Sequence, residues 1–137
     1  MTAKPSDTDI LHRTRVLALD DEPLVLETYG KLFAGRVETA STVAAGMGKL
    51  RHDEDLRIVL LDWKMPDGGL GFLKLMKRKF PERLTIVLAD TASPIDQHDK
   101  DALGVFRCLE KSGATFAMIE DAIRDGIGLL RLRARTG

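Results

Sequence analysis

The sequence predicts an α/β domain, a doubly wound five-stranded parallel sheet with helices on both faces. Three observations carry that expectation. From Arg15 onward, short β-type apolar runs alternate with longer stretches of helical spacing, the pattern of successive βα units. Runs such as IVLL at 58–61 and TIVLA at 85–89 lack in/out alternation, which suits strands covered by helices on both sides. The chain has 137 residues, enough for one such domain and too few for a second catalytic one.

Residues 1–13 are polar and carry Pro5 with no sustained period, so they read as a loose, flexible tail, and the domain is expected over 14–135. The first strand is expected at 16–19. Val25, Thr28, Tyr29, Leu32 and Phe33 then share a helical face, with Pro23 placed to start the helix and Gly35 to follow its end. A second strand at 37–39 leads to a weaker helix carrying Val43, Met47 and Leu50. The third strand, 58–61, precedes a strong helix with Leu70, Leu73, Leu75, Met76 and Phe80, which must stop before Pro81. After the fourth strand at 85–89, the segment PIDQHDKDALG is short and nearly all polar, so its helix should be exposed and thinly packed. The fifth strand spans 105–109. The last helix, about 115–135, presents Phe116, Ile119, Ile123, Ile127 and Leu130 to the core and Met118, Leu129 and Leu132 on the opposite side.

The composition, 44% hydrophobic and 31% charged, is that of a globular protein. A chain of this size removes roughly two thirds of its extended-chain surface from water on folding and needs no disulfide or structural metal. The single Cys108 agrees with that. Twenty-one Lys and Arg balance 21 Asp and Glu, so no global field steers the protein to nucleic acid or anionic lipid. No signal-peptide pattern opens the chain and no apolar run approaches the roughly 18 residues of a membrane span, which places it in the cytoplasm, away from the membrane.

In an open parallel sheet, ligands bind outside the carboxyl ends of the strands, near the point where strand order reverses. Strand one ends in Asp20-Asp21, strand three in Asp62, strand four in Asp90 and strand five in Glu110-Lys111. Clustered carboxylates repel: two unit charges about 5 Å apart cost on the order of 3 kcal/mol at an effective dielectric near 20. A cation should compensate, and an all-oxygen donor set with room for water suits Mg²⁺, whose usual partner is a phosphoryl group. Taken singly, each residue also has an ordinary reading. Asp20-Asp21 ahead of Pro23 can cap the first helix, Asp62 can sit in a turn before Met65-Pro66, and Lys111 can be a surface lysine.

Together, VLALDDEP at 16–23, LLDWKMPDGG at 60–69 and the lysine of CLEKSG at 108–113 resemble the receiver domain of two-component response regulators. The resemblance covers about residues 16–132 and implies a flavodoxin-like (βα)5 fold. It implies that Asp62 accepts a phosphoryl group from a sensor histidine kinase or phosphotransfer protein, with no catalysis beyond the domain's own phosphorylation and dephosphorylation. Asp20, Asp21 and Asp62, with the backbone carbonyl of Lys64, would hold Mg²⁺, and the Lys111 ammonium would pair with the phosphoryl oxygens.

The sequence departs from the family pattern at the switch. Receiver domains usually carry Ser or Thr at the end of strand four, where this chain has Asp90 unless the strand is bulged; a one-residue shift of the loop would offer Thr91 instead. A carboxylate there loses a charge-assisted hydrogen bond of about 1.5–3 kcal/mol and adds repulsion against a phosphoryl group. Lys111-Ser112 replaces the usual Lys-Pro with its cis bond, so this bond should be trans. The switch aromatic is replaced by Cys108, with Phe106 expected two residues earlier on the same face, and Cys108 itself reads as a small buried hydrophobe. Gly68 and Gly69 occupy a loop that is one residue short.

Two readings follow: a receiver phosphorylated at Asp62 that signals through an atypical rearrangement, and a pseudo-receiver that binds a partner regardless of phosphorylation. A phosphatase of the haloacid dehalogenase type would need an Asp-x-Asp pair, and a flavin carrier a donor-rich first loop where DDEP is acidic. His12, His52 and His98 have no ligand spacing, and Arg131, Arg133 and Arg135 read as complements to the dipole of the last helix. Output is expected through a downstream protein or a fused output domain rather than direct nucleic-acid binding. Met118, Leu129 and Leu132 offer a surface for a homodimer.

Overall fold

In the computed structural model, which describes residues 5–66, 68–90 and 95–136, five strands form one parallel sheet. They are β1 (Arg15–Leu19), β2 (Val37–Ala40), β3 (Leu56–Asp62), β4 (Leu84–Ala89) and β5 (Val105–Glu110), in the order β2-β1-β3-β4-β5. The helices are α1 (Asp7–Arg13), α2 (Pro23–Tyr29), α3 (Val43–His52), α4 (Gly69–Lys79), α5 (Gln97–Ala102) and α6 (Phe116–Thr136). The doubly wound five-stranded fold expected from the sequence is the one observed.

The central strands separate two cores, because alternate residues of continuously apolar strands face opposite layers. Val16, Ala18, Ile58, Leu60, Ile86 and Leu88 pack with Tyr29 of α2 and with Ile119, Ile123, Ile127 and Leu130 of α6. Leu17, Leu19, Val59, Leu61, Val87 and Ala89 pack with Met47 and Leu50 of α3 and with Phe72, Leu73 and Met76 of α4. The polar segment at α5 forms a helix that buries none of its own residues, and Ile95 before it and Leu103 after it reach the second core.

Several expectations are corrected; among them, Phe116 and Leu70, expected on the apolar faces of their helices, are 53% and 42% exposed. The loose tail over 1–13 gives way to α1, which a capping box starts: the Ser6 side chain accepts from the Asp9 amide at 3.0 Å and the Asp9 carboxylate accepts from the Ser6 amide at 3.4 Å. Ile10 is buried in the first core, and Asp7 pairs with Arg131 at 2.5 Å and Arg135 at 3.0 Å, so these two arginines tie α6 to α1. The first long helix ends at Tyr29 rather than beyond Phe33. Gly30 caps it, and the chain re-enters the core at Leu32 through a 3₁₀ turn in which Phe33 and Ala34 have positive φ, with the Phe33 amide donating to Glu120 at 2.9 Å.

Phe106 and Cys108 lie on opposite faces, not on one. The β4–β5 register steps from Thr85↔Val105 to Ile86↔Arg107, so β5 carries one extra residue and Phe106 is the bulge. Phe106 therefore packs toward α6 and Cys108 toward the other core. Finally, Leu129 is partly buried against the cluster that also takes in Ile10 and Leu11 of α1, leaving Met118 and Leu132 as the exposed apolar residues of that strip.

Ile10 anchors α1, so Ile10→Ala should lower the unfolding free energy by about 2–4 kcal/mol. Urea denaturation checks this; a value near zero would show that α1 does not pack as described.

Candidate functional site

β1 and β3 are neighbours whose onward connections leave in opposite directions, so their carboxyl ends open a crevice. Asp20 is the first residue past β1 and is fully buried; Asp62 closes β3 and is 4% exposed. Asp21, next in the chain, is exposed. One carboxylate oxygen from each of the three lies within 4.8 Å of the others, a hard oxygen donor set that fits a small divalent cation such as Mg²⁺.

Each acid is oriented by its own loop. The Glu22 amide donates to Asp20 Oδ1 at 3.0 Å, and the Lys64 amide donates to Asp62 Oδ1 at 3.3 Å. The other two oxygens face Lys111. β5 delivers this lysine by extending its ladder one step, the Lys111 amide donating to the Ala89 carbonyl at 2.7 Å. Its Nζ lies 2.9 Å from Asp20 Oδ2 and 3.3 Å from Asp62 Oδ2. No described peptide bond is cis, so Lys111-Ser112 is trans as expected, and the ammonium still reaches the pocket.

Electrostatics of the crevice follow from burial and charge. Burial is the main influence raising the Asp62 carboxyl above the ordinary range, and the Asp20 charge adds to it; Lys111 and the Lys64 amide only partly offset them. For Lys111, burial alone would favour the neutral amine. Its hydrogen bond to Asp20 and the charges of Asp20 and Asp62 outweigh that and hold the ammonium more basic than an ordinary lysine.

The loop from Asp62 to α4 turns tightly. The Gly68 amide donates to the Met65 carbonyl at 2.9 Å, and a Cβ on Gly68 would also stand 2.9 Å from that oxygen. Gly69 has φ +65° and lies against the Trp63 ring, so the two glycines suit the short loop.

Asp90 and Cys108 do not join the cluster of Asp20, Asp21, Asp62 and Lys111. β3 and β4 pair without a register shift, from Ile58↔Leu84 to Asp62↔Leu88, so Asp90 directly follows an unbulged β4. Asp90 is half-exposed and forms an ion pair with the Lys64 ammonium. Hydrogen bonding to Lys64 holds the Asp90 carboxyl below its ordinary range. Thr91 lies outside the described residues. Cys108 is half-buried, and burial pushes its thiol up. The Lys64 side chain was missed by the sequence reading, which used only its carbonyl. The signal was a lysine two residues past the candidate acceptor together with an acid at the end of the next strand.

No family model matches the sequence, and no curated protein matches it. Solved structures do. A response regulator receiver domain protein from Clostridium thermocellum matches with TM-score 0.74 at 26% identity, covering 87% of this chain and 98% of that one. A CheY-like response regulator receiver domain protein from Methanospirillum hungatei matches with TM-score 0.76 at 20% identity over 88% of this chain and 98% of that one. The isolated REC domain of RcsB from Salmonella enterica serovar Typhimurium, solved in the presence of the phosphomimetic BeF3⁻, matches with TM-score 0.67 at 23% identity over 87% and 99%. The chain has the receiver fold. Within this receiver fold, Asp20, Asp21, Asp62 and Lys111 meet at one crevice. Among the described residues no helix is long and apolar enough to cross a membrane.

Lys111 is the counter-charge of a fully buried Asp20, so Lys111→Met should destabilise the metal-free protein by about 3 kcal/mol. Added Mg²⁺ should recover part of the loss, read as a thermal midpoint. Because the folded Asp62 binds its proton more tightly than the unfolded chain does, ionising it costs stability as pH rises through the ordinary carboxylate range. Asp62→Asn should accordingly raise the midpoint of the metal-free protein at pH 7, and the gain should shrink as pH falls below that range.

Proposed function

We propose that this protein is a response regulator receiver that accepts a phosphoryl group on Asp62, in Mg²⁺-dependent exchange with a sensor histidine kinase or phosphotransfer protein. The observation that supports this best is the Lys111 ammonium held between Asp20 and Asp62 in the crevice between β1 and β3. A lysine so placed is poised over the acceptor and already compensated by the neighbouring acid.

In this reading Asp20, Asp21, Asp62 and the Lys64 carbonyl hold the metal. The bound ion supplies positive charge against the phosphoryl oxygens during transfer. An ionised Asp62 oxygen attacks phosphorus while the P–N bond of a phosphohistidine breaks, and the donor imidazole leaves with the electron pair. Lys111 shifts its hydrogen bonds from the carboxylates to the transferred oxygens. Burial of Asp20 and Asp62 keeps water from competing for these contacts.

The docking side has its own chemistry. Leu24 on α2 is 78% exposed and Phe116 on α6 is 53% exposed, and both line an apolar groove that runs to Lys111 past Val25, Tyr29 and Ile119. Exposed apolar residues beside a reactive crevice suit a helical phosphodonor that must bring its histidine to Asp62. The protein is then a signalling module that processes only its own phosphoryl group and passes its state to a downstream protein or a fused output domain.

Incubation with Mg²⁺ and acetyl phosphate should add the mass of one phosphoryl group, and beryllofluoride should change Trp63 fluorescence saturably. Both responses should vanish in Asp62→Asn. An unchanged intact mass together with silent fluorescence would instead identify a pseudo-receiver that binds its partner in one fixed state. Asp90→Thr should alter the lifetime of the phosphorylated form, measured by the decay of that mass.

A further inference from the structure

The ion pair between Lys64 and Asp90 lies beside the crevice, joining the loop after β3 to the residue that follows β4. Asp90 stands where the resemblance leads one to expect a hydroxyl that follows the phosphoryl group, and a carboxylate cannot be drawn toward such a group. We propose that Lys64 exchanges partners when Asp62 is loaded: its ammonium leaves Asp90 for the phosphoryl oxygens, and the uncompensated Asp90 is pushed outward. The inference rests on Asp62 being the phosphoacceptor. It makes Lys64 a phosphoryl-contacting residue and replaces the pull of a hydroxyl with the repulsion of a carboxylate.

Three observations carry it. The Lys64 amide already donates to Asp62 Oδ1 at 3.3 Å, so the side chain starts beside the acceptor and carries its charge on a flexible four-carbon stem. The charge of Asp62 already acts on the Lys64 ammonium in the unloaded protein. The pair with Asp90 is exposed, with side-chain accessibilities of 71% and 53%, and exposed pairs are weak and readily exchanged. Lys111, by contrast, is engaged with a fully buried partner and lies deeper. A phosphoryl group offers three acceptor oxygens, more than one ammonium satisfies.

The displaced charge has somewhere to act. Asp90 follows the strand that leads toward α5, a helix that buries none of its own residues and is flanked by Ile95 and Leu103 in the second core. Thin packing lowers the cost of shifting α5.

The test is a double-mutant cycle with Mg²⁺ and beryllofluoride, read by calorimetry, on the wild type, Lys64→Gln, Asp90→Asn and the double variant. Lys64→Gln should weaken beryllofluoride binding about tenfold, the worth of one charge-assisted hydrogen bond, and by a similar factor with Asp90 or Asn at position 90. Asp90→Asn should tighten binding. Hydrogen exchange over 97–102 should rise on loading in the wild type and stay level in Asp90→Asn. If the Lys64→Gln effect disappears in the Asp90→Asn background, Lys64 only shields Asp90 and the exchange of partners is wrong. Unchanged exchange over 97–102 in a wild type that binds beryllofluoride overturns the outward push. A wild type that does not bind beryllofluoride at all, matching Asp62→Asn, overturns the phosphoacceptor reading and this inference with it.

Discussion

Two carboxylates share a buried crevice, and the arrangement of everything around them answers to that placement. Asp20 is fully buried and Asp62 almost so, and a lone pair of like charges in such surroundings would favour either protonation or opening of the strand ends. Lys111 resolves the conflict from two strands away. It leaves β5, passes the carboxyl end of β4 and reaches both acids, with its amide fixed to the carbonyl of the small residue Ala89. The strand order is what makes this possible, because β4 alone separates β3 from β5 and both acids sit on adjacent strands.

The crevice thus has two cations at two depths. Lys111 is partly buried and tied to a buried acid, while Lys64 lies at the rim with an exposed one. Screening by salt acts on exposed pairs far more than on buried ones. The deep lysine belongs to the resting stability of the fold, whereas the outer lysine is free to respond to changes in charge near Asp62. Asp90, where the resemblance leads one to expect a hydroxyl, is compensated by Lys64, which the sequence places two positions after Asp62.

Much of this was legible in the sequence, for physical reasons. Strands covered on both faces are continuous apolar runs, so β3 and β4 stand out, and the acids at their ends fall where a parallel sheet gathers its chemistry. What was missed had weak or non-local signals. α1 buries only Ile10, so seven residues gave no period to detect, although Ser6 and Asp9 hold the spacing of a capping box. After the early end of α2, the turn at Phe33 is held by Glu120, nearly ninety residues further on, which receives the Phe33 amide. The bulge at Phe106 changes which face every earlier residue of β5 takes relative to Cys108, and nothing in VFRCLE marks it. The Lys64–Asp90 pair involves exposed side chains 26 positions apart, which no periodicity reveals.

The same bulge bears on how separate molecules meet. An open sheet has two border strands whose unpaired backbone groups invite further strands from other chains. Here β2 is four residues long and carries Glu38, which is already engaged by Arg15 and Lys49. β5 is longer, but its irregular step at Phe106 interrupts the even row of amides and carbonyls, and the adjacent Arg107 is drawn to Asp125 at 2.7 Å. Neither border offers a flat, uninterrupted template for strand addition by another chain.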